Sequence, residues 1–220
     1  RYHRLYSEGR GSAQQFFYPG GFRGIESWWY NTHCFDHVLI VRQMDKKIAV
    51  YCSASSEIDP EFNKVARGFV RAASLRGYGI VTGGTIKGTM GEVSDELHSC
   101  GGYHLGVIPH FMKQYVYPDL SEVIWTDTMA ERKALLKKDT CAVVALPGGI
   151  GTLDEVIEVF ALVHLKQYFG KIFLLNHEGF YEPLRQLLQH YVDTGMMTQE
   201  TMAKITFAGT PDETLNELDK

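Results

Sequence analysis

The sequence predicts an α/β fold, a Rossmann-like, doubly wound and mostly parallel sheet with helices on both faces. Three observations predict it. From Met44 onward, short apolar runs alternate with segments of helical spacing. The segments between the runs are long enough for right-handed crossovers, the connections that join parallel strands. Several runs lead directly into glycine-rich or hydroxyl-rich turns, where a sheet of this kind has its ligand crevice.

The elements follow in order. Residues 48–52 form a short apolar strand. Residues 61–76 space Phe62, Val65, Ala66, Phe69, Ala72 and Ala73 as one helical face and stop at Gly77. "YGIVTGG" is a second strand running into glycines, and residues 88–100 form a helix closed by Gly101 and Gly102. "YHLGVIP" is a third strand, stopped by Pro109. "SEVIWT" is a fourth, followed by a helix over 128–138. "TCAVVALP" is the fifth and most apolar strand, and it leads through "GGIGTLDE" into a helix that runs to about Tyr168. "KIFLLN" is a sixth, then come a helix over 181–194, a short helix near Gln199, the strand "KITFAG" and a last helix after Thr210 and Pro211. There is no internal repeat and no low-complexity tract.

Composition breaks near Met44. Residues 1–43 hold no lysine but ten aromatics, so they read as an appendage to a domain spanning 44–220. Two readings of that appendage stand side by side: a segment upstream of the working start, or an aromatic arm that docks on a partner subunit. A chain of 220 residues, 45% of them hydrophobic, can bury one sizeable α/β core.

A net charge of −4 and the lack of a Lys/Arg stripe argue against a binder of nucleic acid polymers, so any phosphate must be held locally by a few donors. No apolar run approaches the ~20 residues that span a bilayer, and the first residues lack an apolar leader core, so no membrane association is expected. Cys34, Cys52, Cys100 and Cys141 form no CxxC pair. Cys52 and Cys141 are expected as small hydrophobes in buried strands, in a reduced, cytoplasmic compartment. His104, His110, His164 and His190 show no metal-ligand spacing, so neither a metal nor another cofactor is expected.

The chemistry lies in the loops. In "PGGIGT", Gly148, Gly149 and Gly151 let a ligand approach backbone, and the following helix offers unpaired N–H groups that suit a phosphate. Thr152 either caps that helix or bonds a phosphate oxygen. "GGTIKGTMGE" repeats the strand–glycine–helix plan with Gly83, Gly84, Gly88 and Thr89. Neither loop has the G-K-[ST] of a Walker A sequence or the G-x-G-x-x-G dinucleotide spacing. Asp154 and Glu155 fall near the helix start, where the dipole alone explains Asp154. Glu155 shares a face with Glu158 and can look into the crevice. In "TMAERKALLKK", Arg132 and Lys133 sit early in a helix, where the dipole disfavours cations; function and solvated surface charge are both open readings.

These residues resemble the Lonely guy (LOG) family. "PGGIGTLDE" matches its PGGxGTxxE motif, "MAERK" its M-x-x-R-K motif, "VYCSAS" its first strand and turn, and "GGTIKGTMG" its second glycine loop. The likeness runs from about Lys46 to Leu218 and leaves out residues 1–43. It implies hydrolysis of the N-glycosidic bond of a nucleoside 5′-monophosphate, the partner being that substrate, and a homodimer with the site near its interface. Carried over by motif, Arg132 and Glu155 are the catalytic pair. Gly148, Gly149, Gly151 and Thr152 hold the phosphate, and Ser55, Gly84, Gly88, Met129 and Lys133 line the nucleotide site. The family also carries the label lysine decarboxylase, for which the sequence offers no PLP-binding signature.

There are departures. Ser53 and Ala54 replace a usual Gly-Ser, Thr85 replaces a glycine, Lys87 is added, and Ala161 and Leu162 stand where plant-like members carry Thr-Trp. They leave AMP and an N6-modified cytokinin ribotide as alternative substrates. A non-catalytic carrier of a nucleotide or phosphorylated cofactor on the same fold is the competing reading.

Overall fold

Seven strands form one sheet in the computed structural model, which describes residues 46–220. The expected appendage at 1–43 and its boundary at Met44 lie outside the described residues. The strands are β1 (Lys47–Tyr51), β2 (Gly79–Thr82), β3 (His104–Pro109), β4 (Glu122–Thr126), β5 (Ala142–Ala145), β6 (Lys171–Leu175) and β7 (Ile205–Ala208). They lie in the order β4-β3-β2-β1-β5-β6-β7, and every pairing is parallel. The helices are α1 (Pro60–Leu75), α2 (Gly88–Cys100), α3 (Met129–Leu136), α4 (Ile150–His164), α5 (Glu182–Asp193), α6 (Gln199–Met202) and α7 (Pro211–Leu218).

This order decides where a ligand can sit. The chain adds β2, β3 and β4 on one side of β1, then returns to lay β5 on the other side of β1. The reversal opens a crevice between the carboxyl ends of β1 and β5. Those ends are joined where Leu146 N–H donates to the Tyr51 carbonyl at 2.9 Å.

Both faces of the sheet are covered, so its strands are apolar throughout. Successive side chains go to opposite faces. Ile48 and Val50 pack with Phe69 of α1 and Leu97 of α2, while Ala49 and Tyr51 pack with Val156 and Phe160 of α4. Ala142/Val144 and Val143/Ala145 of β5 divide in the same way.

Side-chain caps start three of the longer helices. Asp59 accepts from Glu61 N–H ahead of α1, Thr128 from Glu131 N–H ahead of α3, and Thr210 from Glu213 N–H ahead of α7. Helices α2 and α4, each behind a glycine loop, start with Lys87 and Gly149 and have no side-chain cap; α5 shares this feature.

The structure corrects several expectations. Helix α4 ends at His164 rather than near Tyr168, because Lys166 takes a left-handed φ of 58° that turns the chain out of the helix. The α3 helix ends at Leu136, short of residue 138. Strand β3 does end at Pro109 as expected, with Pro109 paired to Thr126. Cys141 is exposed, since it precedes β5 instead of lying within it; Cys52 is buried as expected. No helix among the described residues is long and apolar enough to cross a membrane.

Candidate active site

Arg132 is the organising side chain. It lies on α3 and is one of only two buried residues in that helix, with Leu136. Its Nε donates to the Val107 carbonyl of β3 at 3.2 Å, and its Nη1 donates to Glu155 Oε1 at 2.8 Å. The side chains of Arg132 and Glu155 are only 9% and 13% exposed. A cation early in a helix is disfavoured by the dipole; here a strand carbonyl and a buried carboxylate hold it.

Burial pushes the Glu155 carboxyl above its ordinary pKa, against the opposing influence of Arg132. Beneath the pair, burial and then the Glu155 charge push the Cys52 thiol up to about 12, so it stays a neutral thiol.

Gly83 closes one side of the guanidinium. A Cβ there would stand 2.2 Å from Arg132 Nη2 and 2.9 Å from Met90 Sδ. At the neighbouring loop, Gly84 and Gly88 take φ of 61° and 55°, conformations that favour glycine. Gly88 also packs on the β1–α1 turn, where a Cβ would come within 2.4 Å of the Ser55 carbonyl. Met90 N–H donates to the Ser53 carbonyl at 3.2 Å, which ties the start of α2 to the end of β1. Thr89 is turned away, donating to Asn63 Oδ1 at 2.9 Å.

Thr152 does not cap α4. The helix starts two residues earlier, and the buried hydroxyl donates to the Cys52 carbonyl at 3.1 Å, bridging α4 to the end of β1. Gly148 makes room for it, as a Cβ would lie 2.2 Å from Thr152 Oγ1. Gly149 and Gly151 differ, for nothing lies within 4 Å of either Cβ direction.

Asp154 is not held by the dipole, because the first turn of α4 contains no acid. It pairs with Lys133, whose Nζ lies 3.1 Å from Asp154 Oδ2 and 2.6 Å from Glu158 Oε2. Lys137 Nζ completes a ladder between the helices at 2.6 Å from Glu158 Oε1. The structure thus gathers Arg132, Glu155, Thr152 and the glycines around the ends of β1, β2 and β5. It turns Lys133 toward the carboxylates of α4, and leaves Met129 and Ser55 exposed near the helix and turn starts. Among the described residues no cluster of three or more His, Cys, Asp or Glu side chains has a metal-binding arrangement.

Known proteins resemble this chain in sequence and in fold. The family described as possible lysine decarboxylase, the label that Lonely guy proteins carry, matches residues 90–218. A cytokinin riboside 5′-monophosphate phosphoribohydrolase of Mycobacterium marinum is 33% identical over 170 residues, covering 76% of this chain and 90% of that protein. The chain belongs to the Lonely guy family. A relative of the same kind from Arabidopsis thaliana is 34% identical over 160 residues, 72% of this chain and 70% of that protein. Among solved structures, the molybdenum cofactor binding protein of Rippkaea orientalis superposes with a TM-score of 0.62 at 20% identity, covering 80% of this chain and 96% of that one. At that identity the likeness is one of fold.

The Lonely guy motifs account for Arg132 and Glu155 but not for what holds them. The Val107 carbonyl that holds Arg132, like the Cys52 carbonyl that holds the nearby Thr152, is a backbone group and leaves no mark in a sequence. Lys137 and Glu158 do leave one. Lys133 on α3 with Lys137 at its C-terminal cap, and acids at 154 and 158 on α4, are complementary rows, legible once the two helices are known to be neighbours.

Proposed function

We propose that this protein hydrolyses the N-glycosidic bond of a purine nucleoside 5′-monophosphate, with or without an N6 substituent, to free base and ribose 5-phosphate. One observation carries the reading: a buried Arg132–Glu155 pair at 2.8 Å, beside the uncapped start of α4 and at the switch point of the sheet. The names of the relatives support the same class of substrate.

The chemistry follows from the groups present. The phosphate sits on the N–H groups of Gly149 and Gly151, whose open sides admit it, while Gly148 and Thr152 shape the turn beneath. Ser55, Gly84, Gly88 and Met129 line the ribose and base, and Lys133 stands behind them on α3. A water oxygen attacks C1′ as the C1′–N bond breaks and its electron pair leaves with the base. Glu155 takes a proton from the water and stabilises the positive charge that builds on the ribose. The proton then passes to the base nitrogen, while Arg132 offsets the negative charge of the departing base. Phosphate binding, remote from the reacting bond, fixes C1′ against Glu155.

A carrier has no need of a buried, paired carboxylate, so hydrolysis is the better reading. The first test is Glu155→Gln, which keeps shape and removes the base. Turnover should fall about 10²- to 10⁴-fold, with nucleotide binding by calorimetry retained. Unchanged turnover, or loss of binding alone, contradicts the assignment. Arg132→Ala should lower kcat beyond any change in KM.

The active form is read as a homodimer. Ile150, Leu153 and Ile157 along α4, with Leu165 just past its end, make a stripe that is 82%, 36%, 41% and 61% exposed, which a second copy would cover. The free thiols Cys52 and Cys100 support a reducing, cytoplasmic location.

A further inference from the structure

We propose that Glu158 is a positioning residue that locks α3 onto α4 and keeps the charge of Lys133 away from Glu155. The inference rests on the hydrolase reading and deepens it. Glu158 touches neither the glycine loops nor the guanidinium; it acts through its neighbours.

The need for such a lock follows from the shape of α3. This helix has eight residues, and only Arg132 and Leu136 are buried. One of those two is the charged side chain that the reaction uses, so the fully buried apolar anchor is Leu136 alone, with Leu135 partly buried against the same core. The rest of the hold is polar: the bonds of Arg132 to the Val107 carbonyl and Glu155, and an ionic ladder. Glu158 receives Lys133 Nζ and Lys137 Nζ on its two oxygens, each at 2.6 Å. Lys137 Nζ also donates to the Lys133 carbonyl at 2.9 Å, so the ladder grips the backbone of α3 as well as its side chains. Lys133 and Lys137 are 21% and 11% exposed, which shelters these bonds from solvent more than a surface pair.

The same contacts decide where charge lies around Glu155. Around that carboxyl are Arg132 and Lys133 from α3, Tyr51 of β1 with Cys52 just beyond it, and Asp154 on its own helix, with Glu158 one turn further on. Glu155 and Glu158 are three residues apart and so share a face of α4. Lys133 follows Arg132 directly in the chain and is the second cation within influence of Glu155. With Glu158 in place, Lys133 is shared between Glu158 and Asp154 and does not pair with Glu155. Without it, the net positive charge beside Glu155 rises, and a carboxylate so surrounded holds its proton less well and is a weaker base.

The test compares Glu158→Gln with Glu158→Asp in the full chain. Carbon-detected NMR follows the Glu155 titration directly, and release of adenine from AMP gives kcat and KM. Glu158→Gln should move the Glu155 midpoint down by about half a unit or more, and lower kcat about tenfold or more with KM within about twofold. Glu158→Asp keeps the charge, so it should hold the midpoint near that of the native chain and recover most of kcat. A merely structural role would lower Tm in both variants and leave the midpoint in place. A native midpoint in Glu158→Gln overturns the proposal, as does a shifted midpoint with native kcat. If the native chain releases no base from any nucleotide, the hydrolase reading fails, and the NMR titration still decides whether Glu158 shields Glu155.

Discussion

At the scale of single residues, the glycines of the PGGIG turn have different reasons to be glycine. Gly148 is required by the protein itself, since a Cβ would meet Thr152 Oγ1 at 2.2 Å. Gly149 and Gly151 face open space, so nothing in the fold demands them. This contrast gives a paired prediction. Gly148→Ala should displace Thr152 from the Cys52 carbonyl and lower stability by about 1–3 kcal/mol, read by urea unfolding. Gly149→Ala should leave the unfolding midpoint unchanged yet weaken AMP binding, measured by calorimetry. If Gly149→Ala binds AMP as the native chain does, the phosphate does not lie there.

Glu155 adds a prediction in pH. Its pKa is raised by burial, and the proposed reaction uses it as the unprotonated base. Activity is therefore present above the raised pKa and lost as pH falls through it. The acid limb of kcat/KM should lie above the usual carboxylate range of about 4; a limb at or below that range would contradict a buried base. Residue chemistry was the most legible layer of the sequence, because Arg132 and Glu155 sit in recognisable motifs. The role of Thr152 was not, because a hydroxyl near a helix start looks like a cap until the partner carbonyl of Cys52, 100 residues away, is in view.

Among the elements, α2 and α4 start without side-chain caps, as α5 also does, but only these two follow the glycine loops at the carboxyl end of the sheet. The amide donors exposed at the start of α4 are the ones a phosphate would satisfy. Strand β3 carries a second pH-sensitive group. His104 is 2% exposed, bonded at 2.7 Å to Thr82 Oγ1, and pushed down by burial to about 4 from 6.5. A depressed histidine pKa means that the unfolded chain binds a proton the fold does not. The stability it supports is complete above about pH 6.5 and is lost as pH falls toward about 4, by about 3 kcal/mol at most. Urea unfolding at pH 7 and pH 4.5 should show a larger acid loss in the native chain than in His104→Asn. Equal losses would assign the acid sensitivity elsewhere.

Element order and type were readable because apolar runs and helical spacing alternate so regularly. Element ends were less so. Helix α4 stops where Lys166 adopts a conformation usually left to glycine, and nothing in the local sequence marks that choice. The exposure of Cys141 was hidden for a similar reason, since an apolar flank looks like part of the strand that follows it.

For the molecule as a whole, strand order does what no single motif can. Returning the chain to place β5 beside β1 brings "CSAS", "GGTIKG" and "PGGIG" to one end of the sheet, although some 90 residues separate the first from the last. The alternation of elements implied such a sheet, but the order itself became visible only in the structure. The exposed stripe on α4 belongs to this scale as well. Ile157→Glu should shift the chain from dimer to monomer in light scattering; a native chain that is already monomeric would remove the homodimer reading.

The central claim is hydrolysis at C1′, and free base is its direct signature. The protein is incubated with AMP and, separately, with N6-isopentenyl AMP, and the products are separated by chromatography. The account predicts free adenine or free N6-isopentenyladenine together with ribose 5-phosphate, and the preferred nucleotide identifies the base that the site admits. Binding of both nucleotides without release of either base would contradict it and leave a carrier in its place.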